Sequence, residues 1–114
     1  MNSDCIFCKI AQHAVPARIA WEDEHLLAFH DLHPQAPVHV LVIPRTHVER
    51  MDLIGESEKD LMGHLMVTIP VIARHLGLDE GFRVVANCKE TAGQSVWHLH
   101  FHLMGKRSFS WPPG

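Results

Sequence analysis

The segment Trp97–Met104 near the C-terminal end alternates between histidine and apolar residues. Successive side chains on a β-strand point to opposite faces, so this pattern predicts a strand with imidazoles on one face and a core-forming surface on the other. On the imidazole face, neighbouring rings would lie about 6–7 Å apart, because a strand rises about 3.3 Å per residue. The histidines are His98, His100 and His102. The apolar residues predicted to be buried are Leu99, Phe101 and Leu103.

A further histidine, His39, lies between two valines in the predicted strand Val38–Ile43. β-Branched residues favour this strand, and Pro44 ends it. If it pairs with Trp97–Met104, His39 can lie beside His100. The fold would then bring together imidazoles that are far apart in the chain.

Three interpretations of the histidine strand compete. It could be an exposed polar face that happens to contain histidine, or a metal site, because imidazoles two apart on a strand can chelate zinc. The third is catalytic: a neutral imidazole can attack phosphorus when its second nitrogen donates to a fixed acceptor. We favour the third, because three imidazoles at period two and a nearby fourth suit proton transfer around one reacting group.

The loop before the histidine strand fits the same chemistry. In Gly93-Gln94-Ser95, glycine permits close backbone approach to a phosphate, and the serine hydroxyl could donate to a leaving group. The same three residues also occur in ordinary turns, so the loop alone does not decide the function.

The rest of the chain predicts an α+β fold, with a mostly antiparallel sheet and helices packed on one face. The predicted strands are Arg18–Trp21, Leu26–His30, Val38–Ile43, Gly81–Asn87 and Trp97–Met104, and the predicted loops include Asp31–Pro37 and Lys89–Val96.

Two helices are predicted. A short one covers Cys5–Gln12, with Ser3 or Asp4 as its N-cap. A long one covers Ser57–Leu76, where apolar residues recur three and four apart and Gly77 follows as a stop signal. Pro70 interrupts this pattern and removes one backbone hydrogen bond, so we expect a kink or break near Val67.

Length and charge limit the function classes. The chain has 114 residues, which suits a single domain spanning 1–114. Its net charge of -3 argues against nucleic-acid binding, although a small anionic ligand remains compatible. We find neither an apolar run long enough to span a membrane nor a secretion signal in the sequence. We therefore expect no membrane partner and a cytoplasmic location. The 11 histidines outnumber the 10 lysines and arginines, which favours proton-transfer or metal chemistry.

The three cysteines do not form the pattern of a disulfide framework. Cys5 and Cys8 place two thiols three residues apart, which is half of a tetrahedral zinc site. His47 and His98 could complete it. The alternative is two half-buried thiols with no metal, and Cys88 is given no role.

The histidine strand resembles the signature of the histidine triad family. Further similarity covers nearly the whole chain in the family's order, and the Trp111-Pro112-Pro113-Gly114 ending resembles the histidine triad nucleotide-binding (Hint) branch. The matching segments are Ile6-Phe7, Phe29-His30-Asp31, Pro34-Gln35-Ala36-Pro37, His39, Val42-Ile43-Pro44, Asn87, Gly93-Gln94-Ser95 and His98–Met104.

The resemblance implies a HIT-like fold and hydrolysis of purine nucleoside 5′-phosphoramidates through a nucleotidyl-histidine intermediate. It implies His100 as nucleophile, His39 as its support, and His102 in contact with the phosphate and leaving group, with His98 in the same triad. Ser95 would protonate or orient the departing amine, Asn87 would hold the phosphate, and Asp31 would accept the ribose hydroxyls. The remaining nucleotide contacts implied are Ile6, Phe7, Phe29, His30, Leu32, Leu41, Gly93, Gln94 and Trp111.

The resemblance also implies a homodimer, in which the tail 105–114 reaches the partner's site. Some bacterial members of the family bind a structural zinc through residues of this kind. The resemblance therefore implies a structural zinc held by Cys5, Cys8, His47 and His98, with no cofactor needed for catalysis. Two other functions stay open: dinucleoside polyphosphate hydrolysis by the same strand, and a nucleotide-binding adaptor with incidental catalysis. Many Hint-like members have tyrosine where this chain has Trp97, so the chain departs from the family pattern at this position.

Overall fold

The structure is a computed structural model that describes residues 4–114. Five antiparallel strands form one sheet in the order β1-β2-β3-β5-β4. The α+β fold with a five-stranded sheet, one short helix and one long helix is therefore confirmed. The elements are α1 (Ile6–Ala11), β1 (Ile19–Glu22), β2 (Leu26–His30), β3 (Val38–Pro44), α2 (Lys59–His75), β4 (Phe82–Val85) and β5 (Phe101–Gly105).

The two helices cover opposite faces of the sheet, so the prediction of helices on one face is wrong. Helix α2 packs on one set of alternate side chains of β2 and β3, and helix α1 packs on the other set. The central strands are apolar on both faces, and each face needs a cover that excludes water. Under α2 lie Leu26, Ala28, Val40 and Val42, together with Leu99, Phe101 and Leu103. Under α1 lie Leu27, Phe29, Leu41 and Ile43.

Helix α1 begins at an unexpected N-cap. The Cys5 sulfur accepts a hydrogen bond from the Cys8 amide at 3.3 Å, and Cys5 itself has extended backbone angles. The prediction of Asp4 as the cap is wrong, and Ser3 lies outside the described residues. The helix therefore starts on a thiol that also faces other polar side chains.

Helix α2 runs unbroken through Pro70, so the expected break near Val67 does not occur. Proline cannot donate to the carbonyl four residues earlier, which belongs to Met66. Met66 and Val67 are exposed, so this loss falls on the side of the helix that faces away from the core. The predicted stop is confirmed, because Gly77 has a φ of 76°.

Strand β5 begins at Phe101, four residues later than predicted, and β4 is shorter than the predicted Gly81–Asn87. Before β5, the chain bonds to the segment that follows β3, because the Leu99 amide donates to the Val48 carbonyl at 2.6 Å. That bond replaces the ladder pairing which alternation alone predicted. In the part of the chain that is described, none of the helices combines the length and apolarity that a bilayer crossing requires.

Gly105 at the end of β5 allows a close packing contact. A Cβ atom placed on it would lie 2.5 Å from Leu78 Cδ2 and 3.1 Å from Cδ1, and Leu78 is buried. We expect Gly105→Ala to lower the free energy of unfolding by about 1–3 kcal/mol through overpacking. Urea unfolding measures this. Gly63→Ala is the matched control, because no atom lies within 4 Å of its added Cβ. An unchanged midpoint in Gly105→Ala would contradict the prediction.

Candidate active site and metal cluster

The three triad histidines share one face, as predicted, and this is the face that α1 covers. The Phe7 ring makes edge contacts with His98 and His100, at centroid distances of 6.0 and 5.2 Å. The His100 and His102 rings are themselves 5.2 Å apart. Alternation therefore persists through the residues before β5, although they lie outside the sheet ladder.

The hydrogen bonds of His100 define its tautomer. Its Nδ1 lies 2.7 Å from the carbonyl oxygen of His98. A carbonyl can only accept, so Nδ1 carries the proton and Nε2 of the neutral ring keeps its lone pair. His100 is also 7% exposed, so this lone pair is shielded from bulk water. The arrangement suits a nucleophilic nitrogen.

His39 contacts His102 rather than His100, which corrects the predicted neighbour. Strands β3 and β5 do pair, but their register places Leu41 opposite His102 and His39 opposite Met104. The His39 Nε2 atom lies 2.9 Å from His102 Nδ1, and the two rings are 5.1 Å apart. If His39 assists the reaction, it therefore does so through its hydrogen bond to His102.

The proton positions of His39 and His102 follow from one backbone amide. The Gln35 amide donates to His39 Nδ1 at 3.0 Å, so the neutral ring of His39 is protonated at Nε2. That N–H donates to His102 Nδ1, so His102 in turn carries its proton on Nε2. Nε2 is thus bare in His100 and protonated in the adjacent His102. A proton acceptor or nucleophile and a proton donor lie side by side.

Burial keeps His39 and His102 neutral. Burial, together with the neighbouring His100 and His39, lowers the pKa of His102 to about 4. Burial also lowers the pKa of His39, against the opposing effect of the Asp31 carboxylate. The Oδ2 atom of Asp31 lies 3.5 Å from His39 Nε2. At neutral pH, the proton donor on His102 is therefore a neutral N–H.

The lowered pKa of His102 predicts acid-sensitive stability. The unfolded chain protonates histidine near pH 6.5, whereas folded His102 resists protonation until about pH 4. Between these values the unfolded state binds more protons, so stability falls as the pH falls, by at most about 1.4 kcal/mol per pH unit for this group. Urea unfolding at pH 7.5, 6.0 and 5.0 measures the slope. His102→Gln should reduce the slope, and an identical slope in this variant would refute the assignment.

A second cluster joins α1 to the segments around β3 and β5. Cys5 caps α1, Cys8 lies in its first turn, His47 follows β3, and His98 precedes β5; one ligand atom from each lies within 4.8 Å of the others. His98 Nδ1 is 3.3 Å from Cys5 Sγ, 3.5 Å from Cys8 Sγ and 3.2 Å from His47 Nδ1. Tetrahedral zinc with sulfur and nitrogen ligands has ligand separations of about 3.3–3.8 Å. The four residues therefore form a cluster that could hold a metal ion.

The hydrogen bonds around this cluster suit a metal site. His98 Nε2 donates to the carbonyl oxygen of Pro44 at 2.8 Å, which leaves the lone pair of Nδ1 directed at the two sulfurs. His98 is fully buried, and burial lowers its pKa to about 4. The Cys8 amide donates to Cys5 Sγ, which fixes that sulfur beside His98 Nδ1. The three cysteines, all within residues 4–114, form no disulfide.

Asp31, His39 and His102 form another group of potential ligand atoms, but their protons argue against a metal. A metal ligand nitrogen must present a lone pair, and the Nε2 atom of His39 is protonated because its Nδ1 accepts from Gln35. This group is better described as a chain of hydrogen bonds ending on the His102 donor.

Gln94 is buried and bonds within the chain. Its Oε1 accepts from the Lys89 amide, and its Nε2 donates to the carbonyls of Glu49 and Val96. The amides of Gly93 and Gln94 also donate inside the loop. Gln94 therefore braces the loop, whereas Ser95 is exposed and Asn87 is half-buried.

The predicted base-slot residues divide into buried and exposed members. Phe7, Phe29 and Leu41 belong to the core under α1, while Ile6 and Leu32 are exposed. His30 is half-buried, and burial together with nearby Arg18 lowers its pKa. Trp111 in the tail is 82% exposed. Within a single chain, Trp111 is therefore largely uncovered.

Comparisons with known proteins agree with this fold. The HIT domain matches residues 12–109. A HIT-like protein of Synechococcus elongatus is 47% identical over 114 residues, which is the whole of both chains. A HIT family hydrolase from Legionella pneumophila Philadelphia 1 has a TM-score of 0.94 at 40% identity, covering 97% of this chain and 100% of its own. A histidine triad protein from Clostridium difficile has a TM-score of 0.92 at 42% identity, covering 96% of each chain.

Proposed function

The chain belongs to the HIT domain family, and from that premise we propose that it hydrolyses purine nucleoside 5′-phosphoramidates by way of a nucleotidyl group on His100. The observation that most supports this reaction is the opposite protonation of two adjacent rings. His100 offers a bare Nε2, and His102 offers an Nε2–H. The reaction needs these two groups.

In the first step, the lone pair of His100 Nε2 attacks phosphorus as the bond from phosphorus to the leaving nitrogen breaks. His102 Nε2–H donates a hydrogen bond to that nitrogen, which takes up a proton from solvent, and the amine departs neutral. The ring of His100 gains positive character when Nε2 is bonded to phosphorus. The His98 carbonyl stabilises this charge through the Nδ1–H bond of 2.7 Å.

In the second step, water attacks phosphorus and the bond to His100 Nε2 breaks. The attacking water releases its proton to solvent, the neutral ring of His100 is regenerated, and the nucleoside monophosphate leaves. His39 keeps His102 Nδ1 occupied as an acceptor throughout. Ser95 and Asn87 assist at the leaving amine and the phosphate, respectively.

Nucleotide recognition is proposed around Asp31 and the surface beside α1. Asp31 accepts an amide hydrogen bond from His33 through Oδ1, and its carboxylate has acceptor capacity left for ribose hydroxyls. The exposed apolar side chains of Ile6 and Leu32 form the rim of the purine slot, over a wall formed by Phe7 and its neighbours. His30 and Leu41 complete the proposed slot, with Gly93 near the phosphate and Gln94 bracing the loop.

We further propose that Cys5, Cys8, His47 and His98 bind zinc. Four protein ligands leave no open coordination position, so the zinc would be structural. It would hold α1 against the catalytic face, because α1 supplies two ligands and also Phe7, which contacts His98 and His100.

A homodimer completes the proposal. Strand β4 is at one edge of the sheet, and Phe82 and Val84 on it are exposed, as are Met66 and Val67 on α2. Unpaired edges with apolar side chains are natural pairing surfaces. A dimer built there would also give the exposed Trp111 of the Hint-like tail a partner surface.

The experiment compares the turnover of adenosine 5′-phosphoramidate with that of diadenosine tetraphosphate, alongside the affinity for adenosine 5′-monophosphate. We expect efficient turnover of the phosphoramidate and at least a tenfold lower rate for the tetraphosphate. The reverse preference would identify a dinucleoside polyphosphate hydrolase. Tight nucleotide binding without turnover of either compound would identify an adaptor and overturn the proposed reaction.

A further inference from the structure

The C-terminal tail reaches the loop that sets the proton positions of His39 and His102. Arg107 Nε donates to the carbonyl oxygen of Gln35 at 2.8 Å, across 72 positions of sequence. Gln35 is the residue whose amide donates to His39 Nδ1 at 3.0 Å. Its backbone is thus held from one side by a guanidinium and from the other by an imidazole.

The direction of this chain of hydrogen bonds depends on the Gln35 amide. An amide can only donate, so while it points at His39 Nδ1 the proton of that ring must be on Nε2. If the amide turned away, His39 could place its proton on Nδ1 and present a bare Nε2 to His102. His102 would then bind its own proton on Nδ1, and its outward Nε2 would no longer be a donor.

We propose that Arg107 is a positioning residue for the hydrogen bond that His102 Nε2–H donates to the leaving group, acting through Gln35 and His39; this rests on the proposed function. The loop around Gln35 is exposed, so solvent competes for its carbonyl unless a fixed donor occupies it. Arg107 is itself fixed: its guanidinium lies 4.0 Å from the centre of the Phe109 ring and also donates to the Ser108 carbonyl.

Arg83 provides a matched control. Its guanidinium lies 4.9 Å from the centre of the same Phe109 ring, and it donates to the Ser110 carbonyl at 2.8 Å. Both arginines therefore anchor the tail by a ring contact and a backbone hydrogen bond, but the bond from Arg107 to Gln35 has no counterpart in Arg83. A difference between Arg107→Ala and Arg83→Ala reports the contact with Gln35 rather than loosening of the tail.

The kinetic test uses two substrates that differ in their need for a proton. An alkylamine phosphoramidate of adenosine 5′-monophosphate requires protonation of its leaving group, whereas the p-nitrophenyl ester does not. Removal of one hydrogen-bond donor at a reacting group costs about 10²–10³-fold in kcat, so partial loss of the His102 N–H should lower kcat for the amine about tenfold or more in Arg107→Ala. The rate for the ester should change less than about twofold, and Arg83→Ala should leave the ratio of the two rates unchanged. An equal loss for both substrates, or the same ratio in both variants, would overturn the proposal.

Nitrogen-15 spectra of the imidazoles test the same idea without turnover. Wild-type protein should show His39 and His102 each protonated at Nε2, and Arg107→Ala should show mixed tautomers at both rings. Assignments come from His39→Gln and His102→Gln. Identical tautomers in wild type and Arg107→Ala would refute the positioning role even if the enzyme is active. An inactive wild type whose tautomers still shift in Arg107→Ala would reject the proposed reaction and keep the hydrogen-bond chain.

Discussion

Replacing His100 by alanine is expected to lower turnover of adenosine 5′-phosphoramidate by about 10⁴-fold or more while leaving nucleotide affinity within about threefold. The substitution removes the Nε2 lone pair that we propose forms the bond to phosphorus, and losses of this size follow removal of a nucleophile in comparable enzymes. The proposed nucleotide site uses other groups, chiefly Asp31 and the slot beside α1. Steady-state kinetics and calorimetric titration with adenosine 5′-monophosphate measure the two quantities separately.

A second variant distinguishes loss of the nucleophile from a folding defect. His100→Asn keeps a side-chain N–H near the position of Nδ1 and can retain the bond to the His98 carbonyl, but it has no nucleophilic nitrogen. It should fold and bind nucleotide like wild type and lack turnover. His75→Ala is the control for loss of a histidine, because His75 is exposed at the end of α2, on the other side of the sheet. Activity near that of wild type in His100→Asn would remove His100 from the mechanism.

Loss of the metal cluster is expected to have the largest effect on stability. Cys8→Ala removes a buried sulfur that lies 3.3 Å from His47 Nδ1 and 3.5 Å from His98 Nδ1. Structural zinc contributes several kcal/mol to folding, so the melting temperature should fall by roughly 10–20 °C. Wild-type protein purified without chelator should hold about one zinc per chain by elemental analysis, and the variant should hold almost none.

Cys88→Ala is the matched control for the cysteine substitution. Cys88 is half-buried and lies outside the cluster, beside Asp52, whose pKa is lowered chiefly by Lys89 and in part by the Cys88 thiol. This variant should keep its zinc and a melting temperature within about 2 °C of wild type. Less than half a zinc per wild-type chain would defeat the metal assignment. A full complement of zinc in Cys8→Ala would show that these four residues do not bind it.

Strict periodicity made part of this structure predictable. Strand β2 has the predicted bounds, and β3 extends one residue further than predicted. The common face of the three histidines followed from the alternation of Trp97–Met104, even though half of that segment is outside the sheet. A period of two fixes the face of a side chain as long as the backbone stays extended.

The proton positions at the site could not be predicted, because backbone groups set them. The His98 carbonyl orients His100, the Gln35 amide orients His39, and the Pro44 carbonyl orients His98. Any residue type can supply such a group, so a sequence contains no sign of it. The late start of β5 has the same origin, in the bond from Leu99 to Val48.

The sequence contains the information that α1 and α2 cover different faces of the sheet. Residues 26–29 are apolar at four consecutive positions, which is typical of a strand covered on both faces. A strand with only one buried face would alternate. The number of layers thus follows from the central strands rather than from the helices.

The Cys5 sulfur is at once the cap of α1 and a member of the proposed metal cluster, so one atom secures the shorter of the two α-helices. A helix of six residues has little stability of its own in water. An oxidant or an alkylating reagent that captures this sulfur during purification would unravel the first turns and withdraw Phe7 from the imidazoles. Such a preparation would keep its sheet and pass spectroscopic checks of secondary structure, although α1 no longer covered the imidazoles. Thiol titration should therefore accompany every rate measurement.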